Sequence, residues 1–128
     1  MPSGMKLPKL DPTTKAFYES ILPPDRRIET RSMFGGLGSF VNGNMFAGAL
    51  GTRIFLRLPD ASRAALLREP GGGPFEPVTG RAMAEYATIP ETWMQGRDKV
   101  RPWVARSIEW VGAMPAKTRK KPASSRKR

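Results

Sequence analysis

The residues best suited to chemistry lie at the C-terminus. Positions 117–128 read KTRKKPASSRKR and hold seven cations, Lys117, Arg119, Lys120, Lys121, Arg126, Lys127 and Arg128, with no acidic residue. Such a run neutralises phosphates and releases counterions without reading base sequence. If all seven engaged duplex DNA, log K would fall with log salt at a slope of about −6. The plainer reading is a solubilising tail that any polyanion attracts. A second candidate is the run Arg53–Leu58, where Arg53, Phe55 and Arg57 alternate onto one face. Two cations beside an aromatic ring can neutralise phosphate and stack a base. An ordinary half-buried strand shows the same alternation, with Phe55 under a loop.

The remaining chemistry is sparse. The carboxylates Glu76, Glu85, Glu91 and Asp98 could form an acid–base pair or a Mg²⁺ site, but no D-x-D spacing joins them, and scattered surface acids are the plainer reading. Gly36-Leu37-Gly38 lacks the third glycine of a dinucleotide loop, because position 41 is Val41. Gly71-Gly72-Gly73 stands after a helix instead of opening one, the wrong order for a phosphate site. The chain has no cysteine and no histidine. Disulfides, thiol nucleophiles and Ser–His–Asp or Cys–His catalysis are thereby excluded within it. No catalytic residue, metal ligand or cofactor is assigned.

These groups need elements to position them. Asp11 and Pro12 are suited to cap and open a helix that Pro23-Pro24 stops. From Arg31 to Leu58 the pattern is β: Asn42-Gly43 and Gly51-Thr52 are hairpin turns, so three strands form a meander. Ile54, Leu56 and Leu58 point to one face and Arg53, Phe55 and Arg57 to the other. Asp60 is the expected cap of a second helix, which Pro70–Pro74 ends. Two short strands follow near Phe75–Val78 and Met83–Ile89, turning at Gly80, then a helical turn from Pro90 through Trp93. A last helix spans about Lys99 to Ala113, with Pro102 in its first turn. It buries Trp103, Val104, Ser107, Ile108 and Val111; Trp93, Trp103 and Trp110 read as packing residues.

The expected fold is α+β: one domain with about five antiparallel strands packed by helices, in the order α-βββ-α-ββ-α. The division is a loose arm at 1–9, a domain at 10–116 and a disordered basic tail at 117–128. Charge follows the division. The net is +11, but outside the tail 15 basic residues face 11 acidic ones, a net of +4. The N-terminus lacks the apolar stretch of a secretory signal, and no run reaches membrane-spanning length, so a cytoplasmic setting is expected.

Several motifs carry a resemblance. Arg31-Ser32-Met33-Phe34-Gly35-Gly36-Leu37-Gly38 precedes a strand, and Asn42-Gly43-Asn44-Met45-Phe46-Ala47 follows. Later come Phe75-Glu76-Pro77, Met83, Tyr86, Pro90, Trp103-Val104 and Arg106-Ser107. From about Arg26 to Ala113 the chain resembles the TfoX N-terminal domain family (TfoX/Sxy). The most specific elements are Met33-Phe34-Gly35-Gly36 and the Asn42, Gly43, Met45, Phe46 hairpin. The resemblance implies an antiparallel sheet packed by helices and a bacterial regulatory protein, with no catalytic residues to carry over. The family takes its name from competence regulators that assist a cyclic-AMP-responsive transcription factor. Those carry a second, helical C-terminal domain, in whose place a short basic tail is expected here. Met33-Phe34-Gly35-Gly36 could be a contact surface, but glycines permitting a bulge or close backbone approach beside a core Phe34 is the plainer reading.

The function expected is a non-enzymatic regulatory or accessory protein. It binds a protein partner, with the transcription machinery as one candidate, and touches nucleic acid weakly through its tail. A small-ligand domain or an enzyme using carboxylate, lysine or tyrosine chemistry is the first alternative. A homodimeric scaffold or chaperone-like module, paired through a sheet face or edge, is the second.

Overall fold

Asp11 opens the first helix as its sequence predicts. In the computed structural model, which describes residues 9–33, 35–75 and 84–116, its carboxylate accepts from the N–H groups of Thr13 and Thr14 at 3.0 and 3.2 Å. Pro12 follows at the first helical position, and α1 spans Pro12–Ile21. The arm at 1–8, Phe34, Glu76, Val78, Gly80, Met83 and the tail at 117–128 lie outside the described residues.

Four strands follow α1, where three were expected: β1 (Ile28–Met33), β2 (Gly36–Val41), β3 (Asn44–Leu50) and β4 (Arg53–Arg57). The added strand is β1, and its residues explain why it was missed. It lies at the sheet edge and exposes Glu29, Thr30 and Ser32, so it lacks the apolar alternation of a half-buried strand. Gly35 turns β1 into β2 at φ +82°, a region that glycine enters without a Cβ penalty. At the next hairpin Asn42 and Gly43 both have positive φ, 56° and 76°, as a type I′ turn requires. At Gly51-Thr52 only the glycine does, at 62°, in keeping with type II′.

Helix α2 (Asp60–Arg68) corrects a second expectation. Pro59 holds the cap position and its carbonyl accepts from Arg63 N–H at 2.8 Å. Asp60 is the first helical residue, and its carboxylate takes Arg63 Nη2 at 2.6 Å instead of a backbone N–H. The late strands are shorter than expected: β5 is Gly73–Pro74 and β6 is Tyr86–Thr88. A 3₁₀ turn at Glu91–Gln95 carries Trp93, and α3 spans Arg97–Gly112. This helix starts two residues earlier than expected, directly after the extended cap residue Gly96. Pro102 therefore falls in the second turn, on the exposed side.

The six strands form one antiparallel sheet in the order β1-β2-β3-β4-β6-β5. The fold is α+β, as expected. Helices α1 and α3 cover one face, where Tyr18, Phe46, Ile54, Leu56, Leu58, Leu66 and Val104 make the core. Alternation along β4 sends Ile54 and Leu56 into it and Phe55 to the far face. There Phe55 joins Leu50, Phe75 and Tyr86 in a smaller cluster, against which Met45 packs. Against the main core the Tyr18 hydroxyl lies 2.5 Å from Ser39 Oγ, which lies 2.8 Å from Thr30 Oγ1.

Candidate functional site

The signature residues build a clasp. Between β2 and β3 the register passes from Ser39↔Ala47 to Phe40↔Met45, leaving Phe46 without a ladder partner. This bulge turns Phe46 and Ala47 both toward the core. It also removes the Phe46 carbonyl from the ladder, and buried Ser107 Oγ of α3 donates to it at 2.6 Å. The hairpin tip grips the end of this helix and the segment after it: Asn42 Nδ2 donates to the Gly112 carbonyl at 2.9 Å, and Asn44 Nδ2 to that of Pro115 at 3.1 Å. Carbonyls at a helix C-terminus have no partner inside the helix, and Asn42 supplies one. Gly36 does permit close approach, since a Cβ there would run into the Ala49 carbonyl. Met33 ends β1, with its sulfur over Gly38. Asn42, Gly43, Phe46 and Gly36 thus each have a part in the fold, as do Gly35 at the β1–β2 turn and Met45 against the far-face cluster.

The face of β4 is closed to a stacking base. Phe55 is 5 % exposed and lies flat on Phe75, with ring centres 3.8 Å apart, while Tyr86 meets it edge-on at 5.8 Å. Arg53 Nη2 donates to Thr88 Oγ1 at 2.9 Å and to the Gly71 carbonyl at 3.2 Å. Arg57 pairs with Glu85 at 2.8 Å and lies 5.9 Å from the Tyr86 ring centre. Burial pushes the Tyr86 hydroxyl up from its ordinary range, against the pull of Arg57.

Among the described residues the candidate carboxylates do not converge. Glu85 is held by Arg57, Glu91 accepts from Thr52 Oγ1 at 2.8 Å near Arg53, and Asp98 lies 4.0 Å from Arg101. Among the described residues, no three acidic groups meet where a metal ion could sit. Among them, too, no helix is long and apolar enough to cross a membrane.

Two open grooves run between α3 and the segment joining α1 to β1. The larger, of about 650 Å³, is bordered by Pro23, Asp25, Arg27, Arg106 and Glu109. The smaller, of about 340 Å³, adjoins it at Pro23 and Ala105. Arg27 grips Asp25 at 2.6 Å, and its hydrogen bonds hold that carboxyl down to about 2. Of the exposed cations on α3, Arg106 borders the larger groove and Arg101 the smaller, and Arg97 and Lys99 stand in the first turn of the helix. Lys99 lies 4.9 Å from the Trp93 ring centre and Arg106 4.6 Å from that of Trp103. Sequence reading weighed only the buried stripe of this helix. Arg97 and Arg101 share one side of the helix and Lys99 and Arg106 another, a spacing legible in the sequence.

A family model, that of the TfoX N-terminal domain, matches residues 21–110. No curated protein matches the chain.

Proposed function

The chain belongs to the TfoX N-terminal domain family, and from that membership we propose a non-enzymatic regulatory or accessory protein. Its folded domain binds a protein partner, and cations from α3 into residues 117–128 add weak, salt-sensitive contact with nucleic acid. The family is not a known enzyme family. The observation that carries the reading is the distribution of charge. The described carboxylates Asp25, Asp60, Glu85 and Glu91 each lie within ion-pair distance of an arginine. Helix α3 exposes four cations, of which Arg101 lies 4.0 Å from Asp98, and its sequence leads within five residues to seven more at 117–128, where there is no acidic residue. Unneutralised cations in one stretch attract polyphosphate at long range, and salt weakens that attraction.

The test compares duplex DNA binding by the full chain and by a chain ending at Ala116, over a range of salt. The full chain is expected to bind at low salt with a steep slope, and the shortened chain to retain only the shallow contribution of α3. Equal binding by both, or no binding by the full chain at low salt, refutes the nucleic-acid contact. A low-salt pull-down with and without nuclease tests the protein partner separately, since a bridged complex is lost on nuclease treatment.

A further inference from the structure

The two edges of the sheet are built differently. At one end β5 offers two residues, and Pro74 has no N–H to donate. Short strands and proline are the usual ways to blunt an edge. At the other end β1 runs six residues without proline or glycine, and among the described residues no strand lies beyond it. An uncovered strand of this length is a template for another strand.

We propose that β1 is a homodimer interface, pairing antiparallel with β1 of a second copy about a two-fold axis through Thr30. The register follows from geometry and charge. In an antiparallel pair, facing residues present the same edge, so a two-fold axis must pass through a residue and not between two. Within Ile28–Met33, only centres at Thr30 and Arg31 pair five residues with five. The Arg31 centre sets Arg31 against the partner's Arg31. The Thr30 centre sets Glu29 against the partner's Arg31, and Arg31 against the partner's Glu29. Opposite charges facing across strands attract and like charges repel, so Thr30 is selected.

The surroundings fit this register. Glu29 and Arg31 stand on the far face, opposite Phe40 and Gly38 of β2. The Arg31 guanidinium lies 4.0 Å above the Phe40 ring centre of β2, on the same far face as Glu29. Its Nε is buried and lacks a hydrogen bond among the described residues, with Glu29 of its own chain 3.6 Å away. Glu29 has contacts of its own within the monomer. Pairing therefore adds a second carboxylate to Arg31 and a second guanidinium to Glu29. On the axis two threonines face each other, a favourable cross-strand pair. The two chains compared in the DNA test above share β1 unchanged, so that test bears on neither the success nor the failure of this interface.

The experiment measures solution mass of the full chain by sedimentation across the micromolar range, with circular dichroism to verify folding. The wild type is expected to dimerise. Glu29→Arg, which faces two arginines with two arginines, weakens the dimer on the order of tenfold or more. The exchange Glu29→Arg with Arg31→Glu restores it to near the wild-type constant. Because the chain has no cysteine, Thr30→Cys supplies an independent readout. Oxidation should link two copies across the axis, whereas Ala64→Cys on α2 should not link. A monomer throughout, a dimer indifferent to Glu29→Arg, no rescue by the exchange, or Thr30→Cys linking no faster than Ala64→Cys overturns the proposal.

Discussion

Tyr18 has an ionisable hydroxyl that burial keeps protonated, raised well above its ordinary range despite the hydrogen bond with Ser39. A group raised on folding stabilises fully below its unfolded value, near 10 for tyrosine, and loses that contribution as pH rises toward the folded value. Stability should therefore fall above pH of about 10, where the unfolded chain ionises and the native one does not. Tyr86, the other tyrosine, is raised in the same direction by burial. Ultraviolet titration of the native protein should show no tyrosinate step near pH 10 until the chain unfolds. Tyr18→Phe should flatten part of the alkaline loss while costing about 1 kcal/mol at neutral pH through the missing hydrogen bond. Asp25 is the opposite case. Hydrogen bonds from Arg27 lower it to about 2, so its contribution is present above about pH 4 and lost as pH falls through 2. Carboxyl NMR should find its midpoint below those of exposed acids, and Arg27→Ala should move it back up.

At the scale of elements, the clasp between the β2–β3 hairpin and α3 predicts specific losses. Ser107→Ala leaves the Phe46 carbonyl buried without its donor, and should cost about 1–3 kcal/mol in a urea unfolding curve. Asn42→Ala loses both the helix-end contact and a residue tolerant of positive φ, and should cost about 1–2 kcal/mol. How much of this was legible varies with the range of the cause. The Asn42-Gly43 turn, the Asp11 cap and the facing of β4 are written in adjacent residues, and each formed as expected. The bulge at Phe46 is set by its fit to Ser107, a residue 61 positions away, and nothing local announces it. Strand β1 stayed hidden because an edge strand satisfies one side only and tolerates polar residues on its exposed positions. Arg53, Phe55 and Arg57 were assigned the correct face, but their enclosure by Phe75, Tyr86 and Glu85 depends on a strand that returns much later in the chain.

For the whole molecule, the helix-covered face carries most of the packing. Leu66 of α2 is fully buried in that core. Leu66→Ala should destabilise by about 2–5 kcal/mol, read as a lower thermal midpoint with little change in the far-UV spectrum at room temperature. Removing residues 117–128 should leave that midpoint unmoved, because Ala123 is the one apolar side chain in that sequence besides Pro122 and offers little to bury.

The order in which the core closes has a consequence for synthesis. Strands β2, β3 and β4 can pair as soon as they emerge, since each hairpin turns within two residues. Their apolar face is sealed by Val100, Val104, Ile108 and Val111 of α3, which are translated some fifty residues later. At about 5–20 residues per second, a ribosome holds that half-made face open for several seconds. During that interval the nascent sheet is a substrate for chaperones that recognise bare hydrocarbon, and slow codons placed before position 100 would lengthen its exposure.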